Sequence, residues 1–208
     1  MAKVNVGVLA SGRGSNFEAL ARALSRDVFD AGIRLVVSNV PDAPVLKRAE
    51  ALEIPCVVIN HHEHKTRQSF ELALINELEH HDIGLVCLAG FMRILSPTFV
   101  DHFRDRVMNV HPSLLPAFAG LHGEAVHTAV IEAGVKVTGC TVHFVTAEVD
   151  AGPIIVQRTL PVREEDTPAS LALRVLVEEH QAYPEAVRLF AQGLLKVEGR
   201  RVRITGTL

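Results

Sequence analysis

Residues 4–16 read Val4-Asn5-Val6-Gly7-Val8-Leu9-Ala10-Ser11-Gly12-Arg13-Gly14-Ser15-Asn16, and a periodic stretch follows from Phe17 to Ala23. A short β-rich run, a glycine turn and a helical pattern in immediate succession predict a strand–loop–helix unit. The unit recurs along the chain. Residues 33–38 (IRLVVS) predict a second strand and 45–52 a helix. Residues 56–59 (CVVI) predict a third strand, and a helix spans 66–80 with Phe70, Leu74 and Leu78 four apart on its inner face. Residues 83–89 (IGLVCLA) are nearly all apolar, as a central strand covered on both faces requires. Alternation of this kind predicts an α/β fold: a three-layer sandwich around a mostly parallel sheet with right-handed crossovers.

The second half is patterned differently. A strand around 106–110 and a helix around 123–133 precede two longer strands, 137–145 and 153–160. A turn at Asp150-Ala151-Gly152-Pro153 separates these two, which predicts an antiparallel pair. One or two helices fill 168–192, residues 194–204 resemble a small hairpin, and 112–122 is the long irregular piece. The chain of 208 residues reads as a single domain, with a glycine-loop half over 1–105 and a second half over 106–208.

Composition narrows the partners. The net charge of −3 and the single tyrosine, with no tryptophan, give neither the basic footprint nor the stacking platform of a nucleic-acid protein. The first residues contain only a short apolar run leading into glycines, so neither a signal nor a membrane span is expected, and the cytoplasm is the default compartment. Cys56, Cys87 and Cys140 are odd in number and set in apolar runs, which predicts buried free thiols. His61-His62-Glu63-His64 lacks the spacing of a metal motif and reads as a solvated loop. Arg200, Arg201 and Arg203 form a basic tail too short to imply nucleic acid. No metal site is expected.

Chemistry concentrates at the ends of elements. In Asn109-Val110-His111-Pro112 an amide and an imidazole stand two residues apart, on one face of a strand that the proline closes. Such a pair can stabilise an oxyanion and move a proton, or it can be a core histidine beside a turn asparagine. Gly12, Gly14, Ser15 and Asn16 fit an anion site at a helix start that Ser15 caps, and they also fit a plain tight turn. The spacing matches neither a dinucleotide fingerprint nor a nucleoside-triphosphate loop. Gly90-Phe91-Met92-Arg93 follows the most apolar strand, where open α/β sheets hold ligands, though a turn with a surface arginine looks the same. Asp150 is a turn former or, set against His111, a carboxylate that orients an imidazole. His143, inside a strand, reads as an ordinary half-buried residue.

Four runs carry a resemblance: GRGSN near the start, LAGFMRILSP at 88–97, NVHPSLLPAFAGLHG at 109–123 and TGCTVHFVTAEVDAGPII at 138–155. Together they resemble the folate-dependent formyltransferases, and GRGSN with the single-domain length resembles the glycinamide ribonucleotide branch. The resemblance covers the chain from Val4 to about Phe190. It implies a nucleotide-binding-like sheet of seven strands and a catalytic trio of Asn109, His111 and Asp150. Gly14, Ser15 and Asn16 would hold the substrate phosphate and Glu179 the ribose. Arg67, Met92, Arg93, Ile94, Leu95, Asn109, Val145, Thr146, Ala147, Glu148, Val149 and Asp150 would line the folate pocket, in the catalytic half apart from Arg67 and 92–95. Relatives often carry lysine after Leu-Leu-Pro, where this chain has Ala117. Pro44 replaces a common glycine and suits a first helical turn.

The implied reaction moves the formyl group of 10-formyltetrahydrofolate, a co-substrate, to the amine of glycinamide ribonucleotide in purine biosynthesis, without metal. The implied partners are these two small molecules, with no nucleic acid or membrane, in a monomer or homodimer. The alternatives are a formyltetrahydrofolate deformylase, with water as acceptor, and a non-catalytic folate- or nucleotide-binding module.

Overall fold

The structure is a computed structural model that describes residues 3–25 and 30–206. The chain divides into two compact units, the first ending at Met108 and the second starting at Asn109.

In the first unit the strands are β1 (Val4–Ala10), β2 (Ala31–Ser38), β3 (Cys56–Val58) and β4 (Leu85–Leu88). Their order is β3-β2-β1-β4 and every pairing given among them is parallel, with Val8 opposite both Val36 and Cys87. The helices between them are α1 (Ser15–Leu24), α2 (Pro44–Ala51) and α3 (Arg67–His80), and α4 (Pro97–His102) follows β4. Parallel strands need such crossovers, and covering both faces explains why Val6, Val8, Leu85, Val86 and Cys87 are all fully buried. The inner face expected for α3 is present, with Phe70, Leu74 and Leu78 buried. Pro44 occupies the first turn of α2 as expected. Helix α4 escaped the sequence reading because six residues are too short to show a period; its signal was Ser96-Pro97, a cap followed by proline.

β5 (Val107–His111) carries the chain across the division. In the second unit α5 (Glu124–Glu132), β6 (Val137–Phe144), β7 (Ile154–Pro161), α6 (Pro168–Ala191), β8 (Leu195–Glu198) and β9 (Arg201–Ile204) follow. The strand order is β5-β6-β7-β9-β8. The β6–β7 pair is antiparallel as expected, with a register shift between Val142 and His143. Nine strands are described rather than seven, because the terminal hairpin joins the sheet order beside β7, Ile154 pairing with Arg201. Residues 168–191 form one helix that continues through Pro184, started by a reciprocal Thr167–Ser170 capping box. Cys87 and Cys140 are buried free thiols, whereas Cys56, on a short strand at the edge of the first unit's order, is only half-buried. No helix among the described residues is long and apolar enough to cross a membrane.

Candidate active site

The second unit gathers Asn109, His111 and Asp150. Strand alternation puts Asn109 and His111 on one face of β5, and Asp150 arrives from the turn between β6 and β7. That turn is tight: Asp150 holds a φ of 53°, and a Cβ at Gly152 would stand 1.7 Å from the Phe144 carbonyl oxygen, so only glycine lets the return strand approach. His111 Nδ1 lies 3.3 Å from Asp150 Oδ2, and the His111 ring is 4% exposed. The same carboxylate oxygen accepts from the Gly120 N–H at 2.9 Å. His111 Nε2 faces the Phe118 carbonyl oxygen at 3.2 Å.

Both ring nitrogens of His111 thus face acceptors, the geometry that suits an imidazolium. Burial works the other way and prevails, so His111 titrates below the ordinary histidine range, with Asp150 and the Phe118 carbonyl opposing the shift. Asp150 favours the charged ring, but burial outweighs it.

His143, read from sequence as an ordinary half-buried residue, is instead buried at 2% exposure and touches the pair. Its Nδ1–H donates to the Phe144 carbonyl at 2.9 Å, which leaves Nε2 to accept from the Asn109 amide at 3.3 Å. Asp150 Oδ1 is 3.7 Å from that Nε2, beyond hydrogen-bond reach. His143 therefore fixes the direction of the Asn109 carboxamide. Burial depresses its own titration as well. The irregular stretch after β5 is pinned by residues the sequence did not single out. Thr141 Oγ1 donates to the Ser113 carbonyl at 2.7 Å and accepts from Leu115 N at 3.0 Å, and Gln157 Nε2 donates to the Leu115 carbonyl at 3.1 Å. Thr141 is a polar residue at a buried strand position, whereas Gln157 is an exposed one with no sequence signal.

Glu179 is buried on α6, and its charge, after burial, helps push the Cys140 thiol up to about 12. Of the residues in 145–150, Ala147, Glu148 and Val149 are exposed, while Val145 and Thr146 are half-buried.

In the first unit, Gly14 takes a φ of 77° at the start of α1, and a Cβ there would meet Val45 Cγ2 at 2.6 Å. Two expectations are corrected. Gly14, not Ser15, is the cap position, because the turn needs a left-handed residue immediately before the helix; Ser15 is the first helical residue. Gly12 carries no left-handed angle and has open space around it, so its freedom is not used. Asn16 is buried and Ser15 half-buried at this helix start. Ser11, just before the loop, accepts from Met92 N at 2.8 Å and donates to Asn39 Oδ1 at 2.6 Å, which ties the 90–92 turn to the end of β1. Met92, Arg93 and Ile94 are exposed and Leu95 is buried. Arg67 is exposed at the start of α3, bonded through Nε to Glu71. His61 is half-buried against Asn39, while His62 and Glu63 are exposed. Among the described residues no group of three or more His, Cys, Asp or Glu side chains is arranged to hold a metal ion.

Residues 4–187 match the formyl transferase family, and the chain belongs to it. It is similar to a trifunctional purine biosynthetic protein adenosine-3 of Gallus gallus, 48% identical over 94% of this chain but only 19% of that longer protein. It is also similar to a phosphoribosylglycinamide formyltransferase of Bacillus subtilis, 41% identical over 87% of this chain and 91% of the relative. The crystal structure of a glycinamide ribonucleotide transformylase from Symbiobacterium toebii superposes with a TM-score of 0.95 at 44% identity, covering 99% of this chain and 95% of that one. The chain thus spans about a fifth of the trifunctional relative and nearly all of the single-function ones.

Proposed function

We propose that this chain transfers the formyl group of 10-formyltetrahydrofolate to the primary amine of glycinamide ribonucleotide, a step of purine biosynthesis, with Asn109, His111 and Asp150 as its catalytic residues. The observation that carries the reading is a buried imidazole, His111, set beside the half-buried Asp150 carboxylate on the same strand face as the half-buried Asn109 amide, in a chain of this family, since formyl transfer asks for those three functions.

The neutral amine attacks the formyl carbon, giving a tetrahedral centre with a negative oxygen and a positive nitrogen. The Asn109 amide, aimed by His143, donates to that oxygen. His111 serves it through Nε2, because Asp150 already holds Nδ1. Burial favours the neutral ring at rest, whereas negative charge developing on the formyl oxygen favours the imidazolium: the ring takes a proton from water at Nε2, shares that N–H between the Phe118 carbonyl and the oxygen, and returns the proton as the intermediate collapses. Each such donor contributes about 3 kcal/mol to lowering the barrier. Asp150 takes up the amine proton through water and passes it on to N10 of the folate, so that tetrahydrofolate leaves as the C–N bond breaks. The new amide C–N bond replaces the broken one, and no covalent enzyme intermediate forms.

Ser15 and Asn16 at the start of α1 bind the phosphate, where the helix end offers free N–H groups, and Glu179 binds the ribose. Arg67, Met92–Leu95, Asn109 and Val145–Asp150 are the residues assigned to the folate. The deciding experiment supplies the purified chain with both substrates and resolves the products by mass. Formylated ribonucleotide is the expected product. Formate with unmodified ribonucleotide would mean a deformylase, and bound but unreacted folate a binding module.

A further inference from the structure

Glu71 is a carboxylate on the buried face of α3, between Phe70 and the Leu74–Ile75 pair, and is 4% exposed. A charge in that position must be matched by donors or it destabilises the fold. Its donors come from two places. The Arg67 Nε donates to Oε1 at 3.0 Å, one helical turn back. Ser96, the cap of α4, donates its backbone N–H to Oε1 at 2.7 Å and its hydroxyl to Oε2. Ser96 Oγ also accepts from Phe99 N at 3.3 Å, so the same residue starts α4 and ends the Met92–Leu95 segment.

The arrangement is asymmetric. The carboxylate is dry, while its arginine is 47% exposed and makes no other hydrogen bond among the described residues. Holding a guanidinium by Nε fixes the plane of its two terminal nitrogens, which stay available to an anionic ligand. Met92 and Ile94 are 57% and 65% exposed while Leu95 is buried, so burial holds only the last residue of the segment, next to the anchored Ser96.

We propose that Glu71 is a positioning residue for the folate co-substrate: one buried carboxylate sets both the Arg67 guanidinium and the Ser96 end of the Met92–Leu95 segment. The inference rests on the assignment of Arg67 and Met92–Leu95 to the folate pocket, and adds what holds them. A role limited to joining α3 to α4 would show in stability alone.

The test uses the full chain and compares Glu71→Gln, Arg67→Ala and the double variant. KM is measured for both substrates, and folate affinity separately by calorimetry. Glu71→Gln raises folate KM and Kd about tenfold, with kcat within about threefold and ribonucleotide KM unchanged. Arg67→Ala gives a comparable rise, and the double variant falls short of the product of the two singles, because part of the effect of Glu71 runs through Arg67. Folate affinity within about twofold of the parent in a folded Glu71→Gln protein overturns the proposal, as does a double variant equal to the product of the singles. If Glu71→Gln does not fold, Ser96→Ala decides: a rise of about threefold in folate KM supports the pinning, and an unchanged value overturns it. A parent that binds the folate but makes no formylated ribonucleotide defeats the proposed reaction, while the calorimetric comparison still decides the role of Glu71.

Discussion

The two units hold their polar groups in opposite ways. In the second, His111 and His143 are 4% and 2% exposed, Asp150 is 11% exposed, and each has partners within the unit. In the first, Met92 and Ile94 are more than half exposed, and the turn that carries them is tied down through backbone groups to Ser11 and Glu71. Groups assigned to the reaction are set in advance in a largely buried, hydrogen-bonded network. Among the groups assigned to ligand recognition, Met92, Arg93 and Ile94 sit on a stretch whose backbone is fixed and whose side chains are open. Preorganisation matters most where charge develops in the transition state, because donors that must first reorient lose their advantage. Binding surfaces can complete their contacts on the ligand.

This contrast predicts that kcat and KM effects separate between the catalytic trio and the ligand residues of the first unit. The largest effect is expected at Asn109 and His111: replacing either by alanine lowers kcat by about 10² or more with the fold intact. Steady-state kinetics with circular dichroism checks it, and a rate near that of the parent in either variant removes the division. The next effect is expected in the first unit. Ser15→Ala and Asn16→Ala raise ribonucleotide KM by about tenfold and barely move folate KM or kcat. A selective loss of folate affinity would show that the helix start had been given the wrong ligand.

The smallest effect concerns stability. His111, His127 and His143 all titrate below the ordinary histidine range, first because burial penalises the charged ring. Asp150 opposes this at His111 and His143, and Glu124 at His127. The unfolded chain therefore takes up protons near pH 6.5 that the native protein refuses. The stability contributed by the neutral rings is fully present above that pH and is lost as pH falls through the lower native values. Tm is expected to decline steadily from about pH 6.5 to 5; a flat Tm would show that these rings are not buried as described.

The sequence disclosed what depends on local pattern. Asn109 and His111 were legible because period two puts both on one face, Gly14 because a strand-to-helix turn needs its φ, and α3 because Phe70, Leu74 and Leu78 are four apart. His143, Thr141, Gln157 and Glu71 were not legible as functional positions. Each is a polar residue inside an element that looks ordinary until tertiary packing shows what it touches. Asp150 stood between: the acidic, glycine-rich turn explained it fully until His111 came within 3.3 Å. Ser15 was misplaced by one residue because the cap preference for serine lost to the steric demand for glycine beside Val45.

That Asp150 and burial act in opposite directions on His111 is the point on which the preset network stands. It is tested most directly by NMR titration of the His111 ring in the parent and in Asp150→Asn, which keeps the shape and removes the charge. The parent ring is expected to titrate below the ordinary histidine value, and the variant ring lower still, with kcat near neutral pH falling sharply and ribonucleotide affinity unchanged. A His111 titration that is the same in both proteins would contradict the account and return Asp150 to the role of a turn residue.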